Sequence, residues 1–496
     1  MKRIVFAGML ILFGAAAVPA QHRGDNLGFQ GLSQPNDVSA QALAVGNALT
    51  AVPGAAAAVH FNPAGLAGVE HLEVTVAGSR YSKLWRENQA FRPNRFEFTL
   101  PFYLEGLYTP DPANNGRWDY EIFIEQRDSA YVVQDPVLGA DPYGKKAADW
   151  ERTANGSLLD NVSVAVPVHL GGRPLVLAVS YNARFRVEDF DRNDTYLDPM
   201  IGYDAYGVAQ RVANDTLRMD WFRYLRHRTG TIHQVEIAAG YKLRKNLSVG
   251  ARIGRFSGTT SDILSLNKVG WFDLVKDNRF RFSYDTLDVA QHGSSKFQAT
   301  QVSAGLIWQL NRLYLGLKLT APYTIRRTWS ATTTTLSKQG MQQTPQSGED
   351  RLSVPLSYAV GFAFWPHPRL RLTLDVETIL YSKGKMEMVQ PDSVHGGWAD
   401  QNIVRMGVAY SPAAWLTLMA GYRNLPQTFV PDGAALKHQG PAAQSYTAGL
   451  ALRLPLGRLV LAYETRQLKY YDSYYSQTNY ALETLKRLVV EYTFRL

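Results

Sequence analysis

Residues 487–496 have the sequence RLVVEYTFRL, in which apolar and polar side chains alternate with a period of two. Successive residues of a β-strand point to opposite faces, so this pattern predicts a strand with one apolar and one polar face. Glu491 lies on the polar face, and the apolar face consists of Leu488, Val490, Tyr492, Phe494 and Leu496. About ten residues is also the length that a tilted strand needs to cross a lipid bilayer.

Two further segments, residues 369–377 and 445–454, alternate in the same way. A strand of a soluble β-sandwich can also alternate, so the pattern alone leaves both fold classes open. The spacing of the strands distinguishes between them. Tight chain breakers lie at residues 171–173, 244–246, 311, 366–368, 412–414 and 455–457. Long polar connections lie at residues 135–157, 189–231, 261–296, 328–351, 383–401 and 425–444.

This separation of short turns from long connections is typical of an outer-membrane barrel, with the turns in the periplasm and the loops outside the cell. Unpaired backbone groups are costly in hydrocarbon, so the sheet is expected to close with an even number of strands. The breakers, a first strand at residues 70–84 and the last strand predict about 14 strands. A looser pair at residues 96–108 and 118–133 would give about 16. The predicted fold is therefore all-β, a transmembrane antiparallel β-barrel.

The amino terminus has the features of a secretory signal peptide. Two basic residues, Lys2 and Arg3, precede an apolar run, and the small residue Ala20 precedes a polar segment. A membrane anchor is the alternative, but the apolar run is shorter than the ~20 residues of a spanning helix. We expect cleavage after Ala20 and, with the barrel pattern, a location in the outer membrane of a Gram-negative bacterium.

The formal charge of +9 and the absence of cysteine narrow the function classes. A secreted chain rarely meets nucleic acid, so the basic excess is expected to meet solvent or anionic outer-membrane lipid such as lipopolysaccharide. Without cysteine there is no disulfide framework and no thiolate metal site. The sequence contains no Gly-x-Ser-x-Gly elbow, zinc helix or phosphate loop. We expect no enzyme activity, metal or cofactor; an esterase or protease built from dispersed residues is the alternative.

A different pattern occupies residues 42–66, which are apolar, nearly uncharged and neither alternating nor amphipathic. Proline disfavours helical backbone at the preceding residue and glycine permits positive φ, so the segment is expected to be compact and bent. A surface turn is the simplest interpretation of its Asn-Pro-Ala-Gly. Because a barrel offers a wall for packing, we expect residues 21–69 to form a hatch inside the lumen of a barrel at 70–496. The predicted gate consists of Gly46, Asn47, Asn62, Pro63, Ala64, Gly65 and Leu66.

The order of these features resembles the FadL/TodX (OMPP1) family of outer-membrane transporters. Residues 46–48 and 62–66, directly before a first strand, are similar to the N-terminal hatch of that family, and residues 355–361, 405–410 and 446–449 are similar to its later strands. The resemblance implies a plugged barrel through which hydrophobic compounds, such as long-chain fatty acids or hydrocarbons, diffuse passively inwards. It also implies that the barrel assembly machinery acts on the C-terminal strand, and we expect a monomer.

Two alternatives belong to other functional classes. A related branch of barrels serves as a shuttle in type IX secretion and binds exported proteins. Its hatch usually carries Ala-Arg-Ala, where residues 39–42 here read Ser-Ala-Gln-Ala, which favours the transporter branch. A general porin is the second alternative, and an apolar plug argues against an open pore.

The connection at residues 189–231 holds too many apolar residues for a solvated loop. We expect it to fold over the barrel mouth, with a helical part, and to capture the hydrophobic ligand. Alternatively, it packs on neighbouring loops while its arginines contact lipid phosphate. The candidate residues in it are Trp221, Phe222, Arg223, Arg226 and Arg228.

Several charged residues lie on the polar faces of the predicted strands and are expected to point into the lumen. They are Arg371, Asp375, Glu377, Arg405, Arg453, Glu464 and Glu491. Opposite charges on neighbouring strands commonly pair and hold the wall together. In a functional interpretation, some of them tether the hatch, so that ligand binding shifts it between two positions.

Overall fold

The computed structural model describes residues 27–88, 121–123, 141–148, 150–199, 217–275, 279–284, 287–389, 398–431, 440–473 and 478–496. The strands are β1 (Glu73–Asn88), β2 (Glu121–Phe123), β3 (Trp150–Leu170), β4 (Arg173–Pro199), β5 (Leu217–Arg244), β6 (Leu247–Val275), β7 (Arg279–Tyr284), β8 (Asp288–Leu310), β9 (Leu313–Thr320), β10 (Tyr323–Ser337), β11 (Gly340–Val354), β12 (Ser357–His367), β13 (Leu370–Ile379), β14 (Lys385–Glu387), β15 (Gln401–Ala413), β16 (Leu416–Pro426), β17 (Ala442–Leu454), β18 (Gly457–Ser473) and β19 (Thr478–Arg495). The helices are α1 (Ala40–Leu43) and α2 (Ala58–Phe61), with 3₁₀ segments at Pro63–Gly68, Lys145–Ala147 and Tyr381–Lys383. Across these ranges, no helix is both long and apolar enough to span a bilayer.

The strands form a closed antiparallel barrel of 14 strands, which confirms the predicted fold class and excludes a wall of 16. β1 pairs with β19 on one side and with β3 on the other, so the two ends of the chain close the ring. The order around the wall is β1, β3, β4, β5, β6, β8, β9, β12, β13, β15, β16, β17, β18 and β19. β10 and β11 extend β9 and β12 beyond a break at Pro322 and Pro355, because proline lacks the N–H that a ladder needs.

The six predicted breakers are short turns between paired strands. The predicted long loops are wrong in extent, because the strands continue well beyond them. β4 and β5 stay paired as far as Pro199 and Met219, and residues 328–351 form most of the β10–β11 hairpin. Beyond the bilayer the outer face of a strand meets water, so the apolar alternation disappears although the hydrogen-bond ladder continues.

The looser hairpin considered at residues 96–108 and 118–133 lies outside the described residues, apart from β2. That short strand pairs with β7 and takes no part in the closed ring. The predicted signal peptide at residues 1–20 and the start of the predicted hatch also lie outside the described residues.

An apolar belt surrounds the half of the barrel next to the short turns. Its exposed outward side chains include Leu177, Val179, Ile237, Ile253, Val302, Leu317, Val360, Leu374, Leu418 and Val490. Such a belt contacts the acyl chains of a bilayer. On β6 it ends at Ile253, and the next outward residue is Arg255.

Residues 27–69, here called the plug, lie inside the barrel. α1 packs against β17, β18 and β19, and the Pro63–Gly68 segment packs against β5, β6 and β8. The plug can approach the wall this closely because glycines face it. A Cβ at Gly305 would overlap the Asn62 side chain, and one at Gly421 would overlap the backbone of Gly46.

Candidate functional site

Asn62 joins the plug to the wall through its side-chain amide. Asn62 Nδ2 donates to the Thr50 carbonyl at 2.6 Å within the plug and to the Leu306 carbonyl of β8 at 3.2 Å. Asn62 Oδ1 accepts from the Ala64 N–H at 3.1 Å and thereby caps the Pro63–Gly68 segment. The turn interpretation is therefore correct locally, but this turn is buried against the barrel wall.

The other predicted gate residues belong to the same buried segment. Pro63, Ala64, Gly65 and Leu66 are buried within the 3₁₀ segment that begins after Asn62. Gly46 and Asn47 have φ values of 63° and 61°, and this left-handed backbone reverses the chain after α1. All of the predicted gate residues therefore lie in the plug, and their gating role stays a prediction.

A buried cluster of charges around Asp37 fastens the plug to β16 and β19. Arg423 Nη1 donates to Asp37 Oδ1 at 2.6 Å, and Arg487 Nη2 donates to Asp37 Oδ2. Glu464 accepts from Arg423 and lies 3.5 Å from Arg487. Asn47 Nδ2 also donates to Asp37, so the carboxylate connects the chain reversal after α1 to the wall.

Two of the predicted lumen charges bind backbone N–H groups of the plug. Glu491 Oε2 accepts from the Ala40 N–H at 2.9 Å, at the start of α1. Asp375 Oδ2 accepts from the Thr50 N–H at 2.8 Å. Asp375 and Glu491 therefore contact the plug directly, Glu464 is linked to it through Arg423, and a tethering role for these residues stays a prediction.

The remaining predicted lumen charges pair with the wall or lie at its edge. Glu377 accepts from Arg405 of the neighbouring strand β15 at 2.5 Å and from Lys318 of β9, two strands away, at 3.0 Å. Arg371 is half-buried on β13, and Arg453 is exposed next to the short turn between β17 and β18.

A third buried network joins α2 of the plug to β5 and β6. His60 Nδ1 lies 2.5 Å from Glu236 Oε2, and Arg252 Nη1 donates to Glu236 Oε1 at 2.7 Å. Arg252 also donates to the His60 carbonyl at 3.2 Å. Glu236 and Arg252 are not among the predicted lumen charges, although Glu236 stands between the outward apolar residues Val235 and Ile237 and Arg252 stands next to Ile253.

The upper apolar cluster lies on the side of the plug away from the short turns. Two plug side chains, Phe29 and Leu32, are buried in its centre. Its wall residues are Phe185, Val187, Ile232, Phe256, Phe297, Ala299, Ile325, Leu352, Val354 and Tyr381. Phe29 and Phe297 meet edge to face, with 6.3 Å between ring centroids. The N-terminal end of the described chain therefore occupies an apolar site inside the barrel.

Two arginines hold the backbone of this N-terminal end. Arg228 Nη1 donates to the Gly28 carbonyl at 2.7 Å, and Arg327 Nη1 donates to the Leu27 carbonyl. Arg228 also forms a bidentate salt bridge with Asp262, with both nitrogen–oxygen distances at 2.8 Å.

Burial and neighbouring charges shift the pKa values of Asp262 and Arg327. Burial alone would raise the pKa of Asp262, but the hydrogen bonds and charge of Arg228 lower it below its usual value. Burial, reinforced by the charge of Arg228, lowers the pKa of Arg327 to about 10. The Arg327 guanidinium is therefore charged at neutral pH and able to donate hydrogen bonds.

The predicted ligand-capture residues lie on strand β5, and a loop with a helical part is wrong for the described portion of residues 189–231. Trp221 and Phe222 belong to β5, opposite Leu197 and Tyr196. Arg223 is exposed on β5, and Arg226 Nε donates to Asp189 at 2.7 Å. Arg228 reaches the upper apolar cluster, where its guanidinium lies 5.2 Å from the ring centroid of Phe297. Residues 200–216 of the predicted loop lie outside the described residues.

A seam divides the wall between β3 and β4. The two strands are paired from Leu170 and Arg173 only as far as Asn161 and Asn182. Beyond that point β3 pairs with β1 alone, while β4 continues along β5. A bulge at Asp160 marks the separation, since Asp160 and Asn161 are both buried.

Side chains close the seam in place of backbone hydrogen bonds. Arg186 of β4 donates to Ser79 of β1 at 3.3 Å, and its guanidinium lies 3.6 Å from the ring centroid of Tyr81. Glu188 accepts hydrogen bonds from Tyr81 and, through its carbonyl, from Lys83 at 3.1 Å. These contacts can break without unpairing any strand.

Asn36 of the plug bridges the two sides of the seam. Its Nδ2 donates to Asp160 of β3 at 2.9 Å and to the Ala183 carbonyl of β4 at 3.2 Å. Its backbone N–H donates to the Arg184 carbonyl at 2.8 Å, and its Oδ1 accepts from Arg487 at 2.6 Å. The plug therefore contacts the upper apolar cluster and the seam within a few residues of chain.

Comparison with known proteins identifies the architecture. No protein-family model matches the sequence, and no curated protein matches it. A FadL homologue of Pseudomonas aeruginosa superposes with a TM-score of 0.58 at 13% identity, over 94% of this chain and 99% of that one. The fold is that of the FadL-type barrels. The Pseudomonas putida toluene transporter TodX gives a TM-score of 0.53 at 13% identity, over 92% and 97% of the two chains.

A third FadL-type barrel, the monoaromatic hydrocarbon channel CymD, superposes with a TM-score of 0.50 at 12% identity, over 94% of this chain and 99% of that one. The resemblance predicted from the hatch residues and the later strands is therefore confirmed for the fold. The chain covers nearly the whole length of each of these neighbours, so the likeness extends over the whole fold.

Proposed function

We propose that the protein is an outer-membrane channel of a Gram-negative bacterium that takes up hydrophobic small molecules by passive diffusion. The upper apolar cluster carries the proposal. Phe29 and Leu32 occupy its centre but belong to the N-terminal segment and not to the wall. An apolar ligand of similar size can take their place without disturbing a strand.

Arg228 and Arg327 support a ligand with an oxygen atom at one end. When residues 27 and 28 leave, their two carbonyl oxygens no longer accept from these guanidinium groups. A carboxylate or carbonyl oxygen of the ligand can then accept the same hydrogen bonds. This arrangement suits a fatty acid, whereas the toluene and monoaromatic hydrocarbon transport of TodX and CymD indicates a purely apolar cargo.

In this proposal the ligand leaves sideways through the seam between β3 and β4, and the plug forms the floor. Three observations support this route. The seam lacks backbone pairing, Asn36 bridges it, and the plug below is anchored through buried charges on several strands. The alternative of a shifting gate at residues 62–66 requires those buried anchors to break.

Crosslinking distinguishes the two routes, and the absence of cysteine makes the chain suitable for it. In one double variant, S79C/R186C, a reducible bifunctional thiol reagent links the two cysteines across the seam, because the contact there is made by the far end of the Arg186 side chain. In a second, T50C/D375C, the same reagent links plug and wall. Each protein is reconstituted in liposomes, and uptake of a fluorescent fatty acid and of toluene is measured before and after reduction of the link.

We expect the seam link to abolish uptake and reduction to restore it, while the plug link leaves uptake unchanged. A control link, S411C/T417C, joins two residues of the β15–β16 hairpin whose hydroxyl oxygens already lie 2.9 Å apart. Block by the plug link alone would establish the gate at residues 62–66 instead. Uptake of neither compound, together with binding of an exported protein, would favour the secretion adaptor.

A further inference from the structure

A patch of basic side chains covers the outer face of four consecutive strands, β6, β8, β10 and β11. The basic patch consists of Arg255, Lys296, Arg326 and Arg351. All four side chains are exposed, with 56% and 57% of the Arg326 and Arg351 side chains accessible. On the same strands, alternate residues such as Arg252 and Arg327 face the interior, so the patch belongs to the outer surface.

The patch lies just beyond the apolar belt. Arg255 is the next outward residue after Ile253, the last exposed apolar residue of β6 before the patch. Lys296 follows Val302 on β8 by three outward positions, and Arg351 precedes the exposed Leu356. At about 3.3 Å per residue along a tilted strand, the charges lie roughly 5–15 Å above the acyl-chain region. This is the level of lipid head groups in the leaflet opposite the short turns.

The charges in the patch are incompletely neutralised by the protein. Arg326 and Arg351 face each other across β10 and β11, and Glu349 lies between them. This single carboxylate pairs with both guanidinium groups, at 2.9 Å from Arg351. Within the described ranges, no carboxylate lies at ion-pair distance from Arg255 or Lys296. Like charges placed opposite each other on neighbouring strands are unfavourable unless a counter-charge is present.

We propose that the basic patch binds the phosphate groups of a phosphorylated glycolipid in the outer leaflet, the lipid A portion of lipopolysaccharide. The acyl chains of this lipid would contact the apolar belt while its phosphates meet the arginines, which are suited to two-pronged phosphate binding. The hydroxyl and amide groups of Ser257, Gln298, Thr300 and Thr328 lie between the charges on the same face and can donate hydrogen bonds. The inference depends on the membrane location and not on the identity of the transported compound.

The test measures binding of bisphosphorylated lipid A to the detergent-solubilised barrel by native mass spectrometry. The parent protein is compared with R326Q/R351Q, and lipid A with its phosphate-free derivative. Each removed charge near an anionic lipid surface weakens binding by about fivefold, so we expect a loss of at least tenfold in the double variant. The phosphate-free lipid is expected to bind weakly to both proteins.

A charge-matched control is R244Q/K245Q, which removes two exposed basic residues at the short turn between β5 and β6. This variant is expected to bind lipid A like the parent. Heat-modified mobility in electrophoresis shows that each variant is folded, and fatty acid uptake, measured separately, tests the transport function. Equal binding of lipid A by R326Q/R351Q and the parent, or equal binding of the phosphate-free lipid by the parent, overturns the proposal.

Discussion

Arg423 and Asp37 form a buried pair that joins the wall of the barrel to its plug, with 2.6 Å between Arg423 Nη1 and Asp37 Oδ1. Both side chains are less than a tenth exposed, and Arg487 and Glu464 complete the cluster. Buried charges gain little from pairing compared with an apolar contact, but removing one partner leaves an unpaired charge at high cost. The cluster therefore fixes the position of the plug more than it stabilises the barrel.

We expect Asp37→Asn to loosen the plug. The guanidinium groups of Arg423 and Arg487 would then share the carboxylate of Glu464 alone. Leaving this buried positive charge partly unpaired destabilises the docked plug by about 3 kcal/mol. Amide hydrogen exchange in residues 37–49 is expected to rise, while the thermal midpoint of the barrel changes little. The exposed Lys385–Glu387 pair provides the control, since Glu387→Gln should alter neither measurement. Unchanged exchange in Asp37→Asn would show that the cluster does not hold the plug.

A second prediction concerns the close approach of Asn62 to β8. In Gly305→Ala the new methyl group overlaps Asn62 Oδ1, so the amide has to leave the position in which it bonds Thr50 and Leu306. Losing these two hydrogen bonds costs roughly 2 kcal/mol at about 1 kcal/mol each. The liposome swelling rate with small sugars is expected to rise several-fold, with normal barrel assembly. Gly78→Ala, where the nearest atom lies at 3.3 Å, should leave the rate unchanged.

The plug shows where sequence patterns are sufficient and where they fail. Residues 42–66 were recognisable because proline and glycine in an apolar run imply a bent segment that needs a wall. Asp37 and Asn36 could not be recognised as anchors in this way. A single polar residue forms no periodic pattern, and the residues that these two contact, Arg423 and Arg487, are distant in sequence. An indirect signal existed: inward-facing arginines within a membrane-spanning wall require acidic partners.

The wall shows a similar division. The apolar belt made β13, β17 and β19 predictable, since lipid on one side and the lumen on the other impose strict alternation. The upper parts of β6 and β8 have polar residues on their outer faces, such as Arg255, Ser257 and Lys296, so these paired strands were predicted to be loops. The seam could not be predicted, because strand separation depends on which partner each strand meets and not on its own pattern.

A third prediction concerns the N-terminal occupant of the upper apolar cluster. Phe29→Ala leaves space between Phe297 and the neighbouring wall residues, and this space is lined by apolar side chains. We expect a fluorescent fatty acid to bind at least several-fold more tightly, because it no longer competes with the phenyl ring. Phe364→Ala, on the lipid-facing side of β12, is the control. If the affinity of Phe29→Ala equals that of the parent, the ligand binds elsewhere.

The charge pair beside this occupant predicts a dependence on pH. Because the folded-state pKa of Asp262 is lowered, its contribution to stability is complete above the unfolded value of about 3.9 and is lost as the pH falls through the lower folded value. Hydrogen exchange of residues 27–32, corrected for intrinsic rates, should therefore be constant between pH 5 and 8 and rise in stronger acid. In Asp262→Asn this acid-dependent rise should be absent. A rise near pH 6 in the parent would implicate another group.

The last prediction concerns Asn36, which bonds both sides of the seam. Asn36→Ala removes the hydrogen bonds to Asp160 and to the Ala183 carbonyl, while Asp37 keeps the plug attached to the wall. We expect faster release of a pre-bound fatty acid into liposomes, by roughly tenfold if about 1.4 kcal/mol of seam closure is lost.

The matched control for this variant is Asn402→Ala. Asn402 accepts from Thr378 at 3.0 Å between β13 and β15, where an unbroken backbone ladder also joins the strands. Because that ladder remains intact, release from Asn402→Ala should match the parent. Combining Asn36→Ala with the S79C/R186C link should abolish the gain in rate, since the seam can no longer open. If the linked variant still releases ligand rapidly, the route passes through the plug, and the bonds of Asn36 serve only to position the N-terminal segment.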